Sequence, residues 1–195
     1  VSSDFAISPD GREAITCGED DVVRRWDLRT GAQIGEPLSG HTDDIEDLAV
    51  AMDLIASVSQ DRTVRVWDAE TGQAVSTIRI DDEAWNVALS PDGTLLATGT
   101  RGGIVQFWNP RTGSRIGGPI DAHGGLPVSD LEFSPDGTLL ASGGFDGRVQ
   151  LWNVATRAPA PVPGFAHKGM VTGIAFDGDG RRLATTGYIV DTQGT

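Results

Sequence analysis

Three histidines, His41, His123 and His167, are the side chains of this sequence best suited to proton transfer near neutral pH. Serines and aspartates are plentiful, so a Ser-His-Asp relay is the first chemistry to weigh. Carboxylates run together at Asp20-Asp21, Asp43-Asp44 and Asp81-Asp82-Glu83. General acid/base work or calcium binding would need several of these to converge, whereas solvated turns need no convergence. Cys17 stands alone, and one cysteine with three widely spaced histidines does not compose a zinc site. The stretch Gly99-Thr-Arg-Gly-Gly103 opens no helix, which makes it a weak phosphate cradle. No metal or cofactor is expected.

The elements that must position these residues are short strands. The 195 residues include 26 glycines and 10 prolines, with brief β-branched runs between them, a mixture that favours an all-β fold. No segment approaches the roughly 18 apolar residues of a membrane span. No signal peptide stands at the start, although a chain beginning at Val1 leaves an upstream targeting segment open. A single cysteine excludes an intrachain disulfide. The net charge of −13 disfavours sequence-independent binding to nucleic acid or to an anionic membrane surface. The acidity is spread through loops, as a solvated surface or as a site for a basic peptide. One Lys against fourteen Arg resembles the coding bias of a GC-rich bacterium.

A repeat organises the chain. Trp stands at positions 26, 67, 108 and 152, spacings of 41, 41 and 44, each followed by Asp27, Asp68, Asn109 or Asn153. Ten residues before each Trp is a small hydroxyl residue: Thr16, Ser57, Thr98 and Ser142. Ser-Pro-Asp-Gly recurs at 8–11, 90–93 and 134–137, with Asp-Gly-Asp-Gly at 177–180. Pro presets φ, Asp bonds its own backbone and Gly takes the left-handed position, so each is a hairpin turn. A Thr-Gly turn follows the Trp at Thr30, Thr71 and Thr112. Each unit is therefore expected to hold four strands, at about 84–90, 94–100, 103–109 and 114–120 in the third.

The third strand of each unit alternates with period two. Arg24, Arg65, Gln106 and Gln150 stand two before the Trp, and the Val64/Val66, Val105/Phe107 and Val149/Leu151 pairs lie on the other face. Both faces have something to bury, so each sheet needs a neighbour on either side. Arg25 breaks the pattern in the first unit. Pro37, Pro119, Pro159, Pro161 and Pro163 fall in the fourth strand, which must be an edge because Pro cannot donate to a ladder.

With motif, spacing and turns together, the sequence resembles the WD-repeat family of β-propellers over about residues 1–190. The resemblance implies an all-β propeller arc of about four and a half four-stranded antiparallel blades, at about 1–39, 40–80, 81–121, 122–165 and an incomplete 166–195. It also implies a hydrogen-bonded tetrad within a blade: His41, Ser57, Asp61 and Trp67 in blade two, and His123, Ser142, Asp146 and Trp152 in blade four. Blade one offers Thr16, Asp20 and Trp26. Blade three keeps Thr98 and Trp108 but has Gly102 at the Asp position and Ile80 or Asp81 at the His position. Blade five begins with His167 and Thr185 and diverges at Tyr188-Ile189-Val190-Asp191. All three histidines are then structural, and no catalytic residue is expected.

On this register both ends cut a blade, which implies a piece of a longer ring completed by its parent chain or by self-association. The family's binding surface is its loop face. Its residues carry over to Glu19, Gln60, Arg101 and Phe145 before the tetrad Asp position, and to Asp44, Trp85, Leu126 and Met170 near the blade entrances. Trp85 and Phe145, with Arg101 nearby, form a candidate hot spot for a protein or peptide partner, the rival being that Trp85 packs between blades. The resemblance thus implies a cytoplasmic interaction scaffold or sensor, attached in its parent to a signalling domain such as a kinase or ATPase. Two alternatives stay open: a purely structural segment, and a propeller hydrolase or lyase.

Overall fold

The computed structural model describes residues 4–18, 20–161 and 164–188, which form strands and turns and no helix. The first sheet holds β1 (Phe5–Ile7), β2 (Glu13–Cys17) and β3 (Val23–Asp27). The second holds β4 (Ile45–Ala51), β5 (Leu54–Ser59), β6 (Thr63–Asp68) and β7 (Ala74–Arg79). The third holds β8 (Ala84–Leu89), β9 (Leu96–Thr100), β10 (Ile104–Trp108) and β11 (Arg115–Asp121). The fourth holds β12 (Val128–Phe133), β13 (Leu139–Gly144), β14 (Arg148–Asn153) and β15 (Phe165–Ala166), and β16 (Met170–Phe176) pairs with β17 (Leu183–Tyr188) in a fifth. Every sheet is an antiparallel meander, and the first strands of successive sheets lie side by side. This is the blade order of a β-propeller.

Local chemistry makes the meander. In the Ser-Pro-Asp-Gly turns the Gly N–H returns to the Ser carbonyl at 2.8 Å, and Gly11, Gly93 and Gly137 take φ of 66 to 70°. The Ser hydroxyl donates to the Asp carboxylate at 2.6–2.7 Å, tying off the same loop. The residue after each Trp does similar work two hairpins later, between strands three and four. Asp27, Asp68, Asn109 and Asn153 each accept a Thr amide at 2.7–2.9 Å. The dipeptide is thus a side-chain cap on a turn.

The two faces of each third strand look in opposite directions. Val64 and Val66 pack forward with Val87, Leu96 and Trp108 of blade three, while Trp67 packs backward with Ile15, Val23 and Leu48. Val105 and Phe107 likewise face Val128, Leu140 and Trp152. Most of these side chains are almost wholly buried, so the core is a series of layers between blades. Arg25, at the Val66 position of blade one, is buried too. It is held by the Glu13 carboxylate at 3.0 and 3.1 Å and by the Glu70 carbonyl.

The proline-bearing fourth strand is the outer edge, with Pro119 in β11. Where prolines crowd, the ladder thins. Blade one keeps only the bridges Val23–Leu38 and Trp26–Gln33 beside Pro37, and blade four a Trp152–Pro159 bridge before β15. Pro163 lies outside the described residues.

One feature recurs that the period-two pattern does not announce. The first strand of each of the second to fifth sheets carries a β-bulge at the same place, between Ile45/Asp47, Ala84/Asn86, Val128/Asp130 and Val171/Gly173. A bulge adds one residue and re-aims the side chains that follow it.

Candidate functional site

Blade two binds its strands through one imidazole. His41 Nδ1 lies 2.9 Å from Asp61, and Nε2 lies 2.8 Å from Ser57 Oγ. The Trp67 indole N–H donates to the same hydroxyl at 3.3 Å, and Thr63 and the Thr42 amide complete the shell of Asp61. Blade four repeats this, with His123 2.9 Å from Asp146 and 3.0 Å from Ser142, which takes the Trp152 indole at 2.9 Å. The geometry is that of a proton relay, but Ser57 and Ser142 are wholly buried and each hydroxyl already receives an indole N–H. What it does is cross-link the entry loop, second strand and third strand of a blade. Burial lowers the His41 pKa against the pull of Asp61, so the ring is neutral and donates from Nδ1. Burial alone would raise Asp61, but hydrogen bonds from Thr63, His41 and Thr42 hold it below the usual carboxylate value.

The other blades keep parts of this network. Trp26 donates to Thr16 at 2.8 Å while Asp20 turns to Arg24, at 3.0 and 2.6 Å. In blade five His167 meets Thr185 at 2.8 Å; Ile189, Val190 and Asp191 lie outside the described residues. Blade three keeps the Trp108–Thr98 bond at 3.0 Å, and Asp82 accepts the Gly102 amide.

The bulges assign a second role to carboxylates. Asp4 accepts the Leu48 amide of blade two at 3.2 Å, Asp47 the Val87 amide of blade three at 2.8 Å, and Asp130 the Ile174 amide of blade five at 2.6 Å. Asn86 fills the equivalent place in blade three and donates to the Ser129 carbonyl at 3.0 Å. Each stitches its innermost strand to the next. Burial and the neighbouring Asp4 carboxyl push Asp47 well above the usual range, and burial raises Asp130 and Glu132. Nothing in the sequence pattern singled these residues out; recurrence four residues before the Ser of each Ser-Pro-Asp-Gly turn, at Asp4, Asn86 and Asp130, was the available signal.

The loop face lies where strands one and three begin, opposite the Ser-Pro-Asp-Gly turns. Here the Trp85 and Phe145 rings meet, centroids 5.9 Å apart and tilted by 59°, joining blade three to blade four. The Arg101 guanidinium lies over the Trp85 ring at 5.7 Å and pairs with Glu83 at 3.3 Å. Phe145 is 38% exposed, and Leu126, in the adjoining loop, 48%.

The turn-capping dipeptide, the buried tetrads and the blade meander converge on a single repeat. A family model described as WD domain, G-beta repeat matches residues 2–27, 32–68, 73–109, 116–153 and 161–189. The chain belongs to the WD-repeat family. Among curated WD-repeat relatives, it is 37% identical over 110 residues to Protein transport protein SEC13 of Phaeosphaeria nodorum, covering 51% of this chain and 36% of that protein. It is 35% identical over 113 residues to mouse Coronin-7, covering 53% and 12%. It is 32% identical over 134 residues to a Periodic tryptophan protein 2 homolog of Schizosaccharomyces pombe, covering 65% and 16%. The chain thus spans just over a third of the length of the fungal transport protein, and all three relatives are eukaryotic.

Of the loop-face residues carried over from the WD-repeat pattern, Trp85, Arg101 and Phe145 come together. Gln60 lies on blade two, bonded to Glu46, and exposed Asp44 offers its carbonyl to the Gln60 amide. Met170 opens β16, and Glu19 lies outside the described residues. The four entrance residues are not one register position. Asp44 and Met170 precede the buried Ile45 and Val171, Leu126 stands two before Val128, and Trp85 follows Ala84 on the bulge, where the other blades have Glu46, Ser129 and Thr172. Cys17 is buried against the Ile45 carbonyl, and burial raises its thiol pKa, so it is poorly placed for thiolate chemistry. Among the described residues no three His, Cys, Asp or Glu side chains converge to hold a metal, and no helix is long and apolar enough to cross a membrane.

Proposed function

We propose that this WD-repeat chain is a protein-interaction scaffold whose loop face binds a peptide or partner domain. One observation carries the reading: the Trp85–Phe145 pair, with Arg101 over the indole, lies partly exposed across two blades on the loop face. The blade core is complete without Phe145, and aromatic and arginine side chains grouped in this way are the anchors of protein interfaces. The name of the fungal relative, a protein transport protein, agrees with a role among other proteins. The charge of −13 supports a protein partner over nucleic acid or an anionic membrane, and the single cysteine agrees with a cytoplasmic location. The arginine bias supports a bacterial source, against the eukaryotic origin of the named relatives.

Selection of a displayed peptide library on the chain tests the site. Selected peptides should bind Trp85→Ala and Phe145→Ala at least about tenfold more weakly. They should bind Met52→Ala, which alters the opposite end, unchanged. Equal binding to all three variants would remove the assignment.

A further inference from the structure

Blade three contains a cavity of about 180 Å³ where its tetrad is broken. Its walls are Ile80, Ile104, Pro119 and the Trp108 indole, with Gln106 and Thr100 on the inside and Asp81, Asp82 and Arg115 around it. Ile104, Gln106 and Trp108 stand four, two and zero residues before the blade's Trp. In blade two the same places are taken by Thr63, whose hydroxyl lies 3.3 Å from His41 Nδ1, by Arg65, whose guanidinium lies against Gly40, and by Trp67, which donates to the Ser57 hydroxyl that His41 also meets. Ile80 and Asp81 occupy the stretch that would carry the histidine. The cavity therefore opens on the strand face that an imidazole covers in blades two and four, with Thr98, the counterpart of the serine that meets the ring there, outside its lining.

Gln106 is only 4% exposed, and its carboxamide is oriented by its own bonds. Nε2 donates to the carbonyls of Phe107 at 3.0 Å and Ile116 at 3.4 Å, which leaves Oε1 as a buried acceptor with no partner among the described residues. The other polar groups of the lining are engaged. Asp82 takes the amide of Gly102, Asp81 is paired with Arg115 at 2.9 Å, and the Arg115 guanidinium lies 5.2 Å from the Trp108 ring centre. The site asks for a flat, mostly apolar group with one hydrogen-bond donor. Asp81 and Arg115 satisfy each other and Asp82 is bonded to Gly102, so the lining offers the neutral Oε1 acceptor rather than a free charge.

We propose that this cavity is a binding site for a neutral azole ring, either a free small molecule or the histidine side chain of a partner peptide, whose N–H donates to Gln106 Oε1. The ring lies between Ile80 and Ile104 beside the Trp108 indole, on the strand face that carries an imidazole in blades two and four. The site is separate from the Trp85–Phe145 face and does not depend on it.

Titration of the whole chain with imidazole at pH 8, where the free ring is mostly neutral, tests this by two-dimensional ¹H–¹⁵N NMR. A saturable shift of the Trp108 indole and Gln106 carboxamide signals is expected, with the Trp26, Trp67 and Trp152 indoles unmoved. N-methylimidazole, which has no N–H, should bind about tenfold more weakly, and Gln106→Leu should lose imidazole affinity by about the same factor. Should Gln106→Leu fail to fold, the ratio of the two ligands on the unaltered chain decides alone. A blocked Gly-His-Gly tripeptide distinguishes the sources. Tighter binding than imidazole assigns the ring to a partner's histidine, weaker or equal binding to a free azole, and both uphold the site. No saturable shift at Trp108, or equal affinity for imidazole and its N-methyl form, overturns the proposal.

Discussion

The Asp82 carboxylate accepts the backbone amide of Gly102 at 2.9 Å, the reverse of the strap that closes blade two. There the carboxylate is on the turn, at Asp61, and the entry loop supplies the Thr42 amide. In blade three the loop brings the carboxylate and the turn brings the amide. Donor and acceptor have changed sides while the two segments stay tied.

Restoring the tetrad aspartate at this turn is therefore expected to harm the blade. A Cβ at Gly102 would lie 2.6 Å from Asp82 Oδ2, and a second carboxylate would meet the first. Gly102→Asp should cost about 2 kcal/mol, and adding Asp82→Ser should recover much of that loss. Urea unfolding of the single and double variants measures the coupling. Strictly additive effects would show that the two positions do not touch.

Removing the blade-two imidazole strips donors from a buried carboxylate. His41→Ala is expected to cost about 2–4 kcal/mol and Ser57→Ala about 1–3 kcal/mol, with the pair less than additive because both sever one network. The sign of the pH dependence follows from the shifts. His41 titrates below its ordinary 6.5 when folded, so its contribution is present above that pH and lost as pH falls through it. Asp61, held below 3.8, contributes above that value and fails at still lower pH. A stability profile that does not decline between pH 7 and 5 in the parent relative to His41→Ala would contradict the neutral-ring assignment.

Asp47 has the opposite sign. Its folded pKa is raised, so its contribution is full below 3.8 and declines as pH rises through the folded value. Asp47→Asn removes the buried charge and keeps one oxygen for the Val87 amide, leaving the Leu48 amide to Asp4, which also accepts it at 3.2 Å. The variant should melt roughly 2–4 °C higher than the parent at pH 8, with the gain disappearing at pH 4. Calorimetry at both pH values checks it, and a lower melting temperature at pH 8 would show that the charge itself holds the blades together.

The Arg25–Glu13 pair replaces an apolar contact between blades one and two. The guanidinium is 7% exposed and the carboxylate 27%. Glu13→Leu alone strands the arginine and should cost about 3 kcal/mol, whereas Glu13→Leu with Arg25→Leu should be neutral or stabilising. Thermal unfolding of the three proteins gives the answer. A double variant as damaged as the single one would mean that Arg25 acts through its bond to the Glu70 carbonyl.

Much of this molecule is legible in its sequence, for a local reason. Pro, Asp and Gly specify their turns within four residues, period two divides each third strand into a forward and a backward face, and fixed spacing brings His41 and His123 to their Ser and Asp partners. The edge position of Pro119 follows from its missing N–H alone.

The tertiary structure decided what depends on register and on chain segments far apart. A single bulge residue shifts every side chain after it, so period-two reading could not place Asp47 or Asp130 against amides 40 and 44 residues away. Nor could it show that Trp85 stands on that bulge and meets Phe145. The cavity beside Gln106 belongs to the same class. The sequence by itself determined that blade three lacks a tetrad histidine. Only packing determined that Asp82 would take over the strap and that a cavity would remain beside Gln106, because neighbouring blades are held at a distance that one altered blade cannot close.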